Sequence, residues 1–310
     1  MPAFTVERSI EVNASSEKAF DTVVDFGTWT TWSPWLRIDP DAVVTVSDDP
    51  RSVGSTYAWI GELVGQGQMT HTHLDRPSQM TSDLVFLKPF RSQSTVTFAI
   101  DTNGEQSRIR WTMNGSLPWF MFWMRPMMET YVGMDYERGL KMLKDLIETG
   151  AVHSTVEVLG IEDLAPRCVA GIRDHCSMND IGQKMTEIFQ QVHQAMPRTS
   201  ESCAGEVLSV FHSVDLRKGD ADFTGGRVVS DSDAPAAPLT KIQLPACRAL
   251  HIRHVGSYHH LGNAWSGAHQ YARHRKIKLD RTAACLEIYR NDPEVTSEAD
   301  LVTDIYLPLK

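Results

Sequence analysis

Three short segments recur in the same order in the second half of this chain. "PRCVAGIRDHC" (166–176) aligns with "PACRALHIRHV" (245–255), placing Pro166 on Pro245 and Cys168 on Cys247, a shift of 79. Ile181-Gly182 aligns with Leu261-Gly262, a shift of 80, and "LSVF" (208–211) with "LEIY" (286–289), a shift of 78. Near-constant spacing over three segments implies an internal duplication. Each unit reads strand, helix, strand, strand. "NDIGQKMTEIFQQVHQAM" (179–196) supplies the first amphipathic helix, and "DSDAPAAP" (231–238) reads as a linker. Two such units predict one pseudo-symmetric sheet with its helices on one face.

The duplication leaves about half of the 310 residues unexplained, and that length suits two domains. The formal net charge is −9, with no long basic run, which argues against nucleic acid as a partner. Of the five cysteines, all lie in the second half and none form a CxxC pair, so neither a disulfide framework nor a zinc site is expected. The N-terminus lacks the basic and apolar regions of a signal peptide. The most apolar stretch, "LPWFMFWMRPMM" (117–128), is too short to span a bilayer and contains Arg125 and Pro126. A cytoplasmic protein without membrane or nucleic-acid partners and without a cofactor is expected.

The first half opens with an alternating strand (4–12), followed by a helix capped by Ser15 or Ser16, with Ala19, Phe20, Val23 and Val24 on one face. After the Trp-rich "TWTTWSPW" (28–35), short strands at 54–75, 79–87, 92–100 and 107–115 alternate with turn residues, as in an antiparallel meander. The spacing of Tyr136, Leu140, Leu143 and Ile147 predicts a helix over 134–150, with Gly150 as C′ cap.

A helix, an antiparallel sheet and a closing long helix make an α+β domain. It resembles the SRPBCC superfamily of polyketide-cyclase and START-like helix-grip proteins. The resemblance rests on "WTTWSPW", "GSTYAWIG", "GQGQMT", "IRWTMNG" and "VGMDYERGLKMLK" and covers residues 3–148. The duplicated half resembles the GyrI-like domain, the effector-binding domain of AraC-type and multidrug-sensing regulators. "HVGSY" (254–258), "LEIYRNDP" (286–293) and "LVTDIYLPL" (301–309) carry that resemblance, over residues 153–310. The expected architecture is a helix-grip domain, 1–150, followed by an effector-binding domain, 151–310. The helix-turn-helix that accompanies this domain in regulators is not seen, so a transcription factor acting alone is not expected.

The strand around Glu287 holds the candidate site. Alternation places Ala284, Leu286 and Ile288 on one face, and Ala283, Cys285, Glu287 and Tyr289 on the other. The aliphatic face is expected to pack on the helices. The second face is then either open to water, with Glu287 an ordinary surface carboxylate, or a ligand cleft centred on that acid. A carboxylate among aromatic rings attracts cationic or proton-donating ligands. Its repeat counterpart is Ser209, so the fold itself does not call for an acid there. The GyrI-like resemblance implies that the matching glutamate is the ligand-recognising acid.

Tyr258 is either a capping aromatic or a pocket wall. Trp265 falls on the apolar stripe Leu261, Ala264, Trp265, Ala268, Ala272, where core packing is the usual role and a pocket floor the alternative. Tyr289 and Cys285 share the Glu287 face. Six histidines lie between 251 and 274, without metal-binding spacing, and read as solvated or capping residues. "HTH" (71–73) places two rings on one strand face, without a third ligand. In the first half Trp32, Trp35, Trp59, Met69, Phe86, Trp111 and the segment 119–128 either line an apolar cavity or form a large core.

These readings predict a small-molecule-binding protein with a hydrophobic or cationic aromatic ligand at Glu287, Tyr289, Tyr258, Trp265 and Cys285. Trp111, Trp59 and Phe86 would contact an apolar ligand in the first domain. Some GyrI-like proteins are hydrolases that open reactive cyclopropane rings. That resemblance implies an alternative in which Glu287 and Tyr258 are catalytic. A third expectation is a cyclase or lipid carrier in the first domain, regulated by the second.

Overall fold

The computed structural model describes residues 3–116, 123, 125–196 and 205–310, and the chain divides into two compact units at His153/Ser154. The apolar segment 117–122 and Cys203 lie outside the described residues, as does Met124.

The first unit is a seven-stranded antiparallel sheet gripping helices. Its strands are β1 (Ala3–Val12), β2 (Val43–Val46), β3 (Thr56–Gly61), β4 (Gly65–Asp75), β5 (Gln79–Lys88), β6 (Ser92–Asn103) and β7 (Gln106–Ser116), in the order β1-β7-β6-β5-β4-β3-β2. Helix α1 (Ser16–Val24) begins where the Ser15 side chain accepts the Lys18 N–H, and it buries the predicted Ala19, Phe20, Val23 and Val24. The Trp-rich segment forms one turn of helix, α2 (Trp29–Trp32). Helix α3 (Arg125–Thr149) starts upstream of the predicted Met134, because Pro126 is tolerated in a first turn whose N–H groups lack helical partners anyway. It ends as expected. Gly150 adopts φ 81° and its N–H donates to the Leu146 carbonyl at 3.0 Å.

The expected shared face of His71 and His73 is not observed. The register slips by one residue, pairing His71 with Ser82 and His73 with Thr81, so the two rings leave the sheet on opposite sides. His71 is buried against Phe26 and bonded to Ser82 Oγ and the Val24 carbonyl, while His73 is exposed.

The second unit contains β8 (Ser154–Leu164), β9 (Arg167–Ser177), α4 (Ile181–Ala195), β10 (Val207–Asp215), β11 (Asp220–Val229), β12 (Thr240–Leu244), β13 (Cys247–Gly256), α5 (Leu261–His274), β14 (Cys285–Tyr289) and β15 (Val302–Pro308). The strands form one antiparallel sheet in the order β12-β9-β11-β10-β14-β15-β13-β8. Each repeat therefore has a leading strand beyond the predicted strand, helix, strand, strand. These leading strands are exchanged: β8 pairs with β13 of the second repeat, and β12 with β9 of the first.

The repeats meet at β10 and β14. Ser209 pairs with Glu287, and Leu208/Ile288 and Val210/Leu286 flank them as symmetry mates. The pseudo-twofold axis thus passes between Ser209 and Glu287.

Alternation along β14 is as predicted, but the assignment of its faces is reversed. Leu286 and Ile288 pack with strand residues Leu164, Val169, Leu208, Val210 and Ala249, on the side away from the helices. Cys285 packs with helix residues Ile188, Val192, Trp265, Ala264 and Ala268. Glu287 and Tyr289 therefore face the helices, where side-chain donors satisfy the acid.

Candidate functional site

Glu287 is 4% exposed, so the surface-carboxylate alternative does not apply. Burying a charge is costly unless its oxygens are bonded. Here both are: Oε1 accepts the Trp265 Nε1–H at 2.5 Å, and Oε2 accepts the Tyr289 hydroxyl at 2.8 Å. The Tyr289 oxygen also lies 2.9 Å from Ser209 Oγ. Among the described residues, no Lys, Arg or His is paired with Glu287. Burial raises the carboxyl above its ordinary range, and the Trp265 and Tyr289 bonds offset only part of that rise.

Aromatic and thioether groups enclose the dyad. Tyr258, in the turn that leads into α5, meets Tyr289 edge-on at 5.5 Å between centroids, and Phe189 of α4 does the same at 5.5 Å. Met185 Sδ lies 3.4 Å from Ser209 Oγ and 3.5 Å from Tyr289 Oη. Phe211 packs edge-on against Trp265 at 5.3 Å. Tyr258, Tyr289, Trp265, Met185 and Phe189 are each partly buried. Burial, with the nearby Glu287 charge, pushes the Tyr258 phenol up to about 12. Burial pushes the Cys285 thiol up to about 11, which leaves it an unreactive, apolar neighbour.

The structure therefore gathers Glu287, Tyr289, Tyr258, Trp265 and Cys285 on one side of the sheet. Trp265 packs in the core, one of the roles weighed for it, and its indole N–H also donates to the acid. Ser209, Met185, Phe189 and Phe211 belong to the same group and were not predicted. The repeat alignment held the signal for Ser209, because residues aligned across a twofold become neighbours where the axis runs between their strands, as it does between β10 and β14.

Trp111, Trp59 and Phe86 lie in the other unit. Trp111 stacks on Tyr136 at 3.8 Å and on Phe98 at 4.9 Å, with Trp32 and Trp35 edge-on. Trp59 and Phe86 meet edge-on at 5.7 Å. These rings pack on one another as a continuous core with Met69 and Leu140.

The histidines are less solvated than expected, since His251, His254 and His260 are buried. His251 joins the fully buried Asp304, which also holds Arg253 through two bonds and Arg290 through one. Burial opposes the Asp304 charge, but the hydrogen bonds from Arg253, Arg290 and His251 outweigh it and hold the carboxyl at about 2. This cluster lies on the helix-free face and is charge-compensated. Among the described residues, no three His, Cys, Asp or Glu side chains are grouped to hold a metal, and no helix is long and apolar enough to cross a membrane.

Residues 3–148 match the family described as polyketide cyclase / dehydrase and lipid transport. Residues 160–310 match the GyrI-like small molecule binding domain. The chain joins a polyketide-cyclase-type domain to a GyrI-like domain. No curated protein matches it. Among solved structures, the EcmrR C-terminal domain is 18% identical, with 51% of this chain and 98% of that chain covered at a TM-score of 0.41. SAV2435 bound to tetraphenylphosphonium is 16% identical, covering 48% and 92% at 0.40. The Aha1 dimer from Colwellia psychrerythraea is 19% identical, covering 47% and 97% at 0.35. The GyrI-like domain thus contains the Glu287 group, and the polyketide-cyclase-type domain contains the Trp111 stack.

Proposed function

We propose that the GyrI-like domain binds an amphipathic aromatic cation, with Glu287 as its counter-charge. One observation carries this reading: Glu287 is a buried carboxylate, bonded by neutral donors only, among partly buried aromatic side chains. A cation placed there supplies the positive charge that the described residues do not, and the rings of Tyr258, Phe189 and Trp265 add quadrupole attraction. The neutral donors hold the acid in place without competing for its charge. Isothermal titration with tetraphenylphosphonium and with the neutral triphenylphosphine oxide tests the charge. Glu287→Gln is expected to weaken the cation by about tenfold or more while changing the neutral probe by less than about threefold. Equal losses for both probes reject the electrostatic role.

A hydrolase is the second reading, favoured by the raised Glu287 carboxyl beside two phenols. In that reading Glu287 transfers a proton or positions water, and Tyr258 or Tyr289 polarises a strained electrophile. Turnover of a cyclopropane electrophile by wild type at no more than the buffer rate removes it.

A further inference from the structure

Beside the acid, the helix-facing side of the sheet carries a row of polar residues. Tyr289 on β14 is directly opposite Thr303 on β15, and Thr303 is directly opposite His254 on β13. Residues paired in this way share a face. Thr303 and His254 are both fully buried. Among the described residues, Thr303 Oγ1 and His254 Nδ1 have no hydrogen-bond partner. The other imidazole nitrogen is engaged, since Nε2 lies 3.0 Å from Ser154 Oγ, which also accepts from Asn263 Nδ2 at 2.9 Å.

Buried polar atoms without partners are rare and disfavoured, and two on adjacent strands point to one shared partner. Burial keeps the His254 imidazole neutral, with its pKa lowered to about 4, so an ionic partner is not called for. A threonine hydroxyl donates and accepts, and a neutral Nδ1 does one or the other. A hydroxyl oxygen satisfies both residues in either tautomer.

We propose that Thr303 and His254 form a subsite for one uncharged hydroxyl-type oxygen, filled by water in the free protein and by a ligand hydroxyl in the complex. This rests on the Glu287 reading for the ligand's charged end. Thr303 is the diagonal cross-strand neighbour of Glu287, a separation of about 7–8 Å. The preferred ligand is then an aromatic cation carrying an alcohol or phenol at about that distance from its charge. An alkyl group in the subsite displaces the water without replacing its bonds, and affinity falls.

The test compares pentyltriphenylphosphonium with its terminally hydroxylated derivative on wild type, Thr303→Val and Thr303→Ser, by isothermal titration. Wild type and Thr303→Ser are expected to prefer the hydroxylated cation by about fivefold, and Thr303→Val to lose that preference. No preference in wild type, or the same preference in Thr303→Val, overturns the ligand subsite and leaves Glu287 untouched. If neither cation binds wild type, the Glu287 reading fails. The oxygen site is then decided by thermal unfolding of the free protein. A Thr303→Val melting temperature below that of wild type and of Thr303→Ser supports a held water, whereas an unchanged or higher one overturns it.

Discussion

Ser209 and Glu287 occupy equivalent positions in the two repeats and face each other directly across β10 and β14. The Tyr289 hydroxyl bridges them, donating to Glu287 and lying within hydrogen-bond distance of Ser209. The pair places a single acid at the pseudo-twofold axis, with a neutral hydroxyl opposite.

Replacing that hydroxyl by a second acid tests the arrangement. Opposed Cβ atoms lie about 4.5–5.5 Å apart, so Ser209→Asp is expected to destabilise the protein by about 3 kcal/mol at pH 7. The deficit should shrink at pH 5, where one proton shared by two close acids relieves the repulsion. Denaturant unfolding at both pH values decides between charge and packing; a deficit that does not change with pH assigns the cost to packing.

Trp265→Phe keeps a ring in place but removes the N–H that bonds Glu287 Oε1. A buried acceptor without its donor costs about 1–3 kcal/mol, to be read by denaturant unfolding at neutral pH. The lost bond also lets burial raise the Glu287 carboxyl further. If Glu287 is the counter-charge proposed above, cation binding requires the ionised acid, and affinity is expected to rise with pH through that pKa. In Trp265→Phe the rise is expected at higher pH than in wild type, as measured by titration across a pH series.

His254 predicts a loss of stability in acid. Its pKa is about 4 in the fold because burial disfavours the imidazolium, against 6.5 for the free side chain. Between these values the unfolded chain binds the extra proton. The stabilisation is therefore present above pH 6.5 and is lost as pH falls toward 4, by on the order of 3 kcal/mol in total. His254→Gln is expected to flatten this part of the stability–pH curve. An unchanged slope assigns it to other groups.

In the first domain, Gly139 on α3 lies against the aromatic stack. A Cβ there would sit 2.8 Å from Trp111 Cζ3 and 3.2 Å from Pro34 Cδ. Gly→Ala within a helix usually stabilises by up to about 1 kcal/mol. Here Gly139→Ala is expected to lower the melting temperature, because neither the stacked indole nor the proline ring has room to move. A raised melting temperature would mean that the stack yields.

Much of the fold was legible because its periodicity is local. The α1 face, the Gly150 cap and the period-two strands each follow from a few neighbouring residues. The repeat spacing exposed the duplication, and with it the counterpart of Glu287. What the residues could not show is which way a sheet face turns. The aliphatic side of β14 suits helix packing on composition alone, whereas the donors that satisfy Glu287 come from Trp265, on another element, and from Tyr289. The four-residue strand β2 is too short to show a period. The slip at His71 depends on pairing with β5, which no single strand encodes.

The exchanged leading strands bind the two repeats into one sheet, since β8 and β12 each complete the half of the sheet built by the other repeat. Two identical chains of a single repeat, assembled about the same axis, would set like against like at its centre. An acid there would face an acid, and a serine a serine. Tying both copies into one polypeptide removes that constraint, letting Glu287 stand alone opposite Ser209. Covalent linkage thereby gives a symmetric scaffold a centre with a single sign of charge.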